Sequence, residues 1–194
     1  NTYTPDNNFE QALIDLGYDD VLDDYVLTAN ISGITGLSLN NKNVSDLTGI
    51  EDFVNLVQLF AQQNNLTSID LTNNTRIETL ILDSNKLTSI DVSTLNNLFA
   101  LTISFNNLTS INTSNNPNLY TLVCSDNNIT SLDLSNNFAL DSFGCNNNEL
   151  SSLDVSNNNN LNDSTGQNQF YCKDNPLQCI QVSQTQLNNI PSNW

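Results

Sequence analysis

The sequence predicts an α/β solenoid. Short coils stack into a curved, continuous domain with a parallel β-sheet on the concave face, a short helical N-terminal cap and a mostly irregular convex side. Three observations carry this expectation. Apolar residues return every 21 positions over most of the chain, and a column of asparagines keeps the same phase. The one stretch with helical rather than repeat spacing lies at the beginning, where an open stack needs covering.

The interval is read from Leu59. Steps of 21 reach Leu80, Leu101, Leu122 and Phe143, a step back of 22 reaches Leu37, and Phe170 lies 27 beyond Phe143. The long last step implies a six-residue insertion near Asn162–Gln169. Five past each anchor stand Asn64, Asn85, Asn106, Asn127, Asn148 and Asn175. Seven past stand Leu66, Leu87, Leu108, Ile129, Leu150 and Leu177; ten past stand Ile69, Ile90, Ile111, Leu132, Leu153 and Ile180. Such a period is the signature of leucine-rich repeats, which stack into a horseshoe.

Physics assigns the columns. Each coil lays down a short strand, and neighbouring strands pair about 4.8 Å apart. The anchor and the residue two past it point inward by the two-residue alternation of a strand. The asparagine stands where the chain leaves the strand, and its amide can satisfy backbone groups that no ladder reaches. The repeats are expected over 37–182, about seven coils, between an N-terminal cap at 1–36 and a C-terminal cap at 183–194.

In the first cap, Asn7 reads as a helix N-cap with Glu10 three residues on as its capping-box partner. Phe9, Leu13, Ile14 and Leu16 supply the apolar face, and Gly17 stops the helix. The acidic run that follows is expected to be a solvated turn. The alternative is a calcium site through Asp19, Asp20, Asp23 and Asp24, although the spacing does not match an EF-hand loop. At the other end, Ile190–Trp194 is expected to belong to the C-terminal cap, with Trp194 covering the last coil.

Cys124, Cys145 and Cys172 fall two past the anchor, on the inward side, where Ala61, Leu82 and Ile103 stand in earlier coils. They read as packed free thiols. Cys179, seven past Cys172, leaves open a Cys172–Cys179 disulfide closing the last coil. A zinc site would want four ligands, and the chain has no histidine.

Composition excludes more than it assigns. With 21 acids against four bases the net charge is −17, which argues against nucleic acid or an anionic membrane as partner. No apolar run is long enough to span a bilayer. Without histidine, triads and imidazole acid–base chemistry are excluded, and no glycine-rich loop cradles phosphate. Acids are plentiful, but they stand in repeated columns on an open sheet. No enzymatic activity and no cofactor are expected.

The concave face is the expected recognition surface. One past the anchor stand Phe60, Ile81, Thr102, Val123, Gly144 and Tyr171, an oddly apolar set for exposed positions. Three past stand Gln62, Asp83, Ser104, Ser125, Asn146 and Lys173, with Phe105 and Asp126 at the sheet margin. An exposed apolar stripe rimmed by polar groups marks binding sites, although β-propensity alone favours the same residues. Eleven past, Asp70, Asp91, Asn112, Asp133 and Asp154 are expected to accept hydrogen bonds from the turns that follow them. A further column, Thr67, Thr88, Thr109, Thr130 and Ser151, is what repeat copying produces.

These residues support a resemblance. Asn43–Leu56 (NVSDLTGIEDFVNL) resembles the 22-residue repeat of bacterial internalin-type proteins, and Asn127–Asn137 (NNITSLDLSNN) is similar to the 21-residue repeats of secreted Bacteroidetes surface proteins. Such proteins often carry an inward cysteine column. Tyr3–Gly17 looks like their N-terminal cap, and Asn175–Val182 like their last coil. The resemblance implies a secreted or cell-surface module for adhesion, binding a protein or glycan, monomeric and often part of a larger protein. The alternative is a rigid spacer that holds another domain away from the surface.

Overall fold

The anchor residues fall within very short strands, where they alternate with residues facing out. The computed structural model describes residues 1–161 and 170–188. Its elements are β1 (Thr2–Tyr3), α1 (Asn7–Asp15), β2 (Tyr25–Val26), α2 (Thr28–Ile31), β3 (Gly36–Ser38), β4 (Gln58–Phe60), β5 (Thr79–Ile81), β6 (Ala100–Thr102), β7 (Thr121–Val123), β8 (Ser142–Gly144), β9 (Ser152–Asp154), β10 (Phe170–Tyr171), β11 (Cys179–Gln181) and α3 (Gln184–Leu187). Seven strands form one parallel sheet in the order β10-β8-β7-β6-β5-β4-β3. The register aligns the anchors, with Leu37 opposite Leu59, Leu59 opposite Leu80, and so on to Phe143 opposite Phe170. The architecture is a leucine-rich-repeat solenoid with little helix. The segment 162–169 and Ile190–Trp194 lie outside the described residues.

The core is one continuous column system. Leu59, Leu80, Leu101, Leu122 and Phe143 are fully buried, as are Leu66, Leu87, Leu108, Ile129 and Leu150. Each such side chain contributes roughly 1.5–3 kcal/mol by leaving water, and only the neighbouring coils provide that burial.

The asparagine column does what its position predicts. Asn85 Oδ1 accepts from the Leu66 N–H at 3.0 Å, and its Nδ2 donates to the Ala61 and Leu82 carbonyls at 2.9 and 3.0 Å. Asn106, Asn127, Asn148 and Asn175 repeat the pattern one coil further on each time. A second ladder runs fifteen past the anchor through Asn74, Asn116, Asn137 and Asn158, with Leu95 in the gap. Each Nδ2 donates to two carbonyls of the preceding coil; for Asn116 these are Val92 and Leu95, at 3.0 and 2.8 Å. In the sequence this ladder is hidden among asparagine runs. At the C-terminal end, Gln186 of α3 takes the same role, donating to the Val155 and Asn158 carbonyls at 3.0 Å each.

The N-terminal cap corrects two expectations. The N-cap of α1 is Asp6, not Asn7: its Oδ1 accepts from the N–H groups of Asn8 and Phe9 at 2.9 and 3.0 Å. Asp6 Oδ2 meanwhile accepts from the Ser45 N–H, the Ser45 hydroxyl and the Asp46 N–H. One carboxylate therefore caps the helix and pins it to the first coil. Glu10 does not reach back to the cap. It is buried, and its Oε1 accepts from the Asp23 and Tyr25 N–H groups at 2.9 and 3.1 Å, shaping the acidic loop. Gly49 lies where β1 presses on the repeats; at φ +103° a Cβ there would stand 2.7 Å from the Tyr3 carbonyl oxygen.

Candidate functional site

Three outward columns line the concave sheet, and their side chains are held differently. In the middle column the expectation of an open apolar stripe needs correction. Phe60, Ile81, Thr102 and Val123 are only half exposed, because side chains one coil apart pack against each other. Gly144 is buried; a Cβ on it would meet Val123 Cγ1 at 3.2 Å, so Val123 fills the space that glycine leaves. Tyr171, in the last strand of the sheet, is the open member, 41% exposed.

The column three past the anchor is a chain of fixed acceptors. Asp83 accepts from the Thr102 hydroxyl and, at 2.7 Å, from the Ser104 N–H. Ser125 Oγ accepts from the Asn146 N–H at 3.1 Å, and Asn146 Oδ1 from the Lys173 N–H at 2.8 Å. Gln62 is half-buried, and Lys173 is exposed. A polar strip ordered before any partner arrives loses less entropy on binding.

Beyond the strands, the position four past the anchor is left-handed in every repeat: Gln63, Ser84, Phe105, Asp126, Asn147 and Asp174 have φ between 52° and 58°. Most of these are short or polar residues. Asn and Asp visit this region most readily because their side chains bond locally. Asp126 also accepts from the Asn147 amide at 2.8 Å. Phe105 is the exception, a bulky aromatic in strained backbone and yet 58% exposed. Such strain persists where the surroundings over-determine it, and it clusters at sites of function.

Other expected residues do not assemble. Asp19 is half-buried, while Asp20, Asp23 and Asp24 are exposed, and Asp23 Oδ1 is engaged by the Tyr25 N–H. Among the described residues no group of three or more His, Cys, Asp or Glu side chains is gathered as a metal site. All four cysteines are free thiols, and the Cys172–Cys179 disulfide is not formed. Cys179 instead belongs to β11, which pairs with β9 as a separate two-stranded sheet. Burial pushes the Cys124 thiol up to about 12, and it raises Cys145 and Cys172 as well.

The acids of the eleventh column serve turns. Thr72, Ser93, Ser135 and Ser156 each donate a backbone N–H at 2.9 Å to the aspartate two residues earlier. Hydrogen bonds from the Thr72 backbone hold the Asp70 carboxyl below its ordinary value, and those from the Ser93 and Ser135 hydroxyls do the same for Asp91 and Asp133. A glycosidase acid needs the opposite shift.

Sequence reasoning passed over the column two before the anchor. There Phe99 and Tyr120, both largely exposed, stack at 5.0 Å with ring planes 6° apart. Their spacing of 21 was the available signal.

No family model matches the chain. The functional domain of internalin J from Listeria monocytogenes, described as including a cysteine ladder, superposes with a TM-score of 0.70 at 31% identity, covering 89% of this chain and 42% of that one. The chain is an internalin-like leucine-rich-repeat solenoid. Listeria internalin C2 gives a TM-score of 0.62 at 24% identity over 91% of this chain and 87% of its own. A leucine-rich-repeat protein of Leptospira interrogans gives 0.61 at 23% over 67% of this chain and 34% of its own; likeness at these two levels speaks to the fold alone. In sequence, curated internalin J is 34% identical over 75 residues, 39% of this chain but 8% of that protein. No helix among the described residues is long and apolar enough to cross a membrane.

Proposed function

We propose that this internalin-like solenoid is an extracellular recognition module, secreted or at the cell surface, that binds a protein through the concave face and its margin. The observation that carries the reading is Phe105, an aromatic kept 58% exposed on left-handed backbone beside the ordered strip of Asp83, Ser104 and Ser125. Packing gains too little there to offset the strain, whereas rigid exposed aromatics are the usual anchors of protein interfaces. Gln62, Asp83, Asp126 and Lys173 supply the polar rim. Phe60, Ile81, Thr102, Val123 and Tyr171 supply the apolar floor. The likeness to the functional domain of internalin J supports a recognition role.

A screen against arrayed surface proteins and glycans, with a Phe60→Asp/Tyr171→Asp variant alongside, tests the reading. A selective protein hit lost in the folded variant is the expected result. A hit kept by the variant, or a selective glycan, overturns it. Silence from both favours a rigid spacer.

A further inference from the structure

The stacked rings at the margin where the strands begin carry no role in the reading above. Phe99 and Tyr120 are 49% and 39% exposed, and their stack leaves one face of each ring turned away from the other. The column continues in both directions with acids. Glu78 precedes Phe99, whose N–H donates to the Glu78 carbonyl at 2.8 Å; Asp141 follows Tyr120 through the equivalent bond at 3.0 Å. The two acids are not equivalent. Asp141 is half-buried, and its carboxylate raises the pKa of the Tyr120 hydroxyl. Glu78 is exposed, and no ion pair to its carboxylate is formed among the described residues.

We propose that Glu78, Phe99, Tyr120 and Asp141 form a second docking surface, separate from the concave face, that takes an arginine or lysine side chain of a basic protein partner. The cation lies over the free face of Phe99 and pairs with Glu78. Three features favour a cation. The ring face is negative, and Glu78 on the adjoining coil adds a carboxylate of the same sign. Tyr120, stacked 5.0 Å from Phe99 with ring planes 6° apart, backs the opposite face of that ring. Finally, a chain with 21 acids and four bases attracts cationic partners at long range. Its own Arg76, two residues from Glu78, is turned to the preceding coil, where Nη1 donates to Asn55 Oδ1 at 2.7 Å. The slot is left to an outside cation. A sugar can also stack on an aromatic, but the exposed side chain on the coil before Phe99 is a charged one, Glu78.

The test is an NMR titration of the 15N-labelled chain with a five-residue glycine–arginine peptide and with its neutral citrulline counterpart. The expected result is shifts centred on the amides of Glu78, Phe99 and Tyr120 with the arginine peptide only, fading at high salt. Phe99→Ala and Glu78→Gln should each weaken that binding about three- to fivefold, while Asp126→Asn on the concave margin leaves it unchanged. Phe99→Leu, which keeps an apolar side chain, should weaken it by the same factor without loss of fold. Equal binding of the citrulline peptide, equal losses for every acidic substitution, or shifts produced by an oligosaccharide instead would each overturn the proposal. The concave-face reading stands or falls separately, because its variants leave this column intact.

Discussion

Asn106 and Leu87 sit on neighbouring coils, and the asparagine Oδ1 accepts from the Leu87 N–H at 2.9 Å. The relationship recurs along the stack and separates two kinds of asparagine. In the second ladder, the carbonyls served by Asn116 already accept backbone bonds: Val92 from Leu95, and Leu95 from Leu98. Asn116 Oδ1 is itself buried without a partner. Replacing Asn106 with Leu strands a buried donor and should cost about 2–4 kcal/mol. Asn116→Leu, which copies what Leu95 does one coil earlier, should cost less than about 1 kcal/mol. Chemical denaturation of both variants measures the difference.

Phe105→Asn should raise stability while weakening recognition. Asn147 stands at the equivalent position at φ 52°, and asparagine tolerates that region better than phenylalanine. A gain of about 1 kcal/mol is expected, seen as a rise in melting temperature of roughly 2–4 °C.

Asp6 makes the cap sensitive to acid. Burial pushes its carboxyl up, but hydrogen bonds from the Ser45 hydroxyl and from the Ser45, Phe9 and Asp46 N–H groups outweigh this and hold it below the ordinary 3.8. The folded chain thus binds fewer protons here than the unfolded one. The contribution is complete above that ordinary value and is lost as pH falls through the folded value. Asp6→Asn should destabilise the protein by about 1–2 kcal/mol at pH 7, and the gap should close towards pH 2–3 in a pH series of melts.

The thiols should react in order of exposure. Cys179 is exposed, Cys172 half-buried, and Cys124 and Cys145 buried with raised pKa values. A thiol reagent should label Cys179 first, Cys172 slowly, and the other two only in denaturant, where all four become reactive.

How much was legible in the sequence follows from the physics of repetition. Leu59, Asn64, Leu66 and Ile69 each recur because every coil solves the same packing problem, so the inward face could be read by counting. The cap is built once. Asp6 and Asn7 are both good N-cap residues, and only the tertiary bonds of Asp6 to Ser45 and Asp46 decide between them. The concave face was placed correctly, but its openness was not legible, because the alternation that points Phe60 and Val123 outward says nothing of how adjacent coils cover them. Phe105 could be located by counting, while its left-handed backbone could not. Phe99 and Tyr120 were visible as a 21-residue pair, but their stacking required coordinates.

The central claim is recognition through the concave face and its margin. The most direct measurement is the affinity of the protein ligand from the array screen for the unaltered chain and for Phe105→Asn, with Phe60→Asp/Tyr171→Asp beside it. The account predicts at least about a tenfold loss in each, in line with the loss of an aromatic anchor, with Phe105→Asn no less stable than the original. Unchanged affinity in both variants would contradict it.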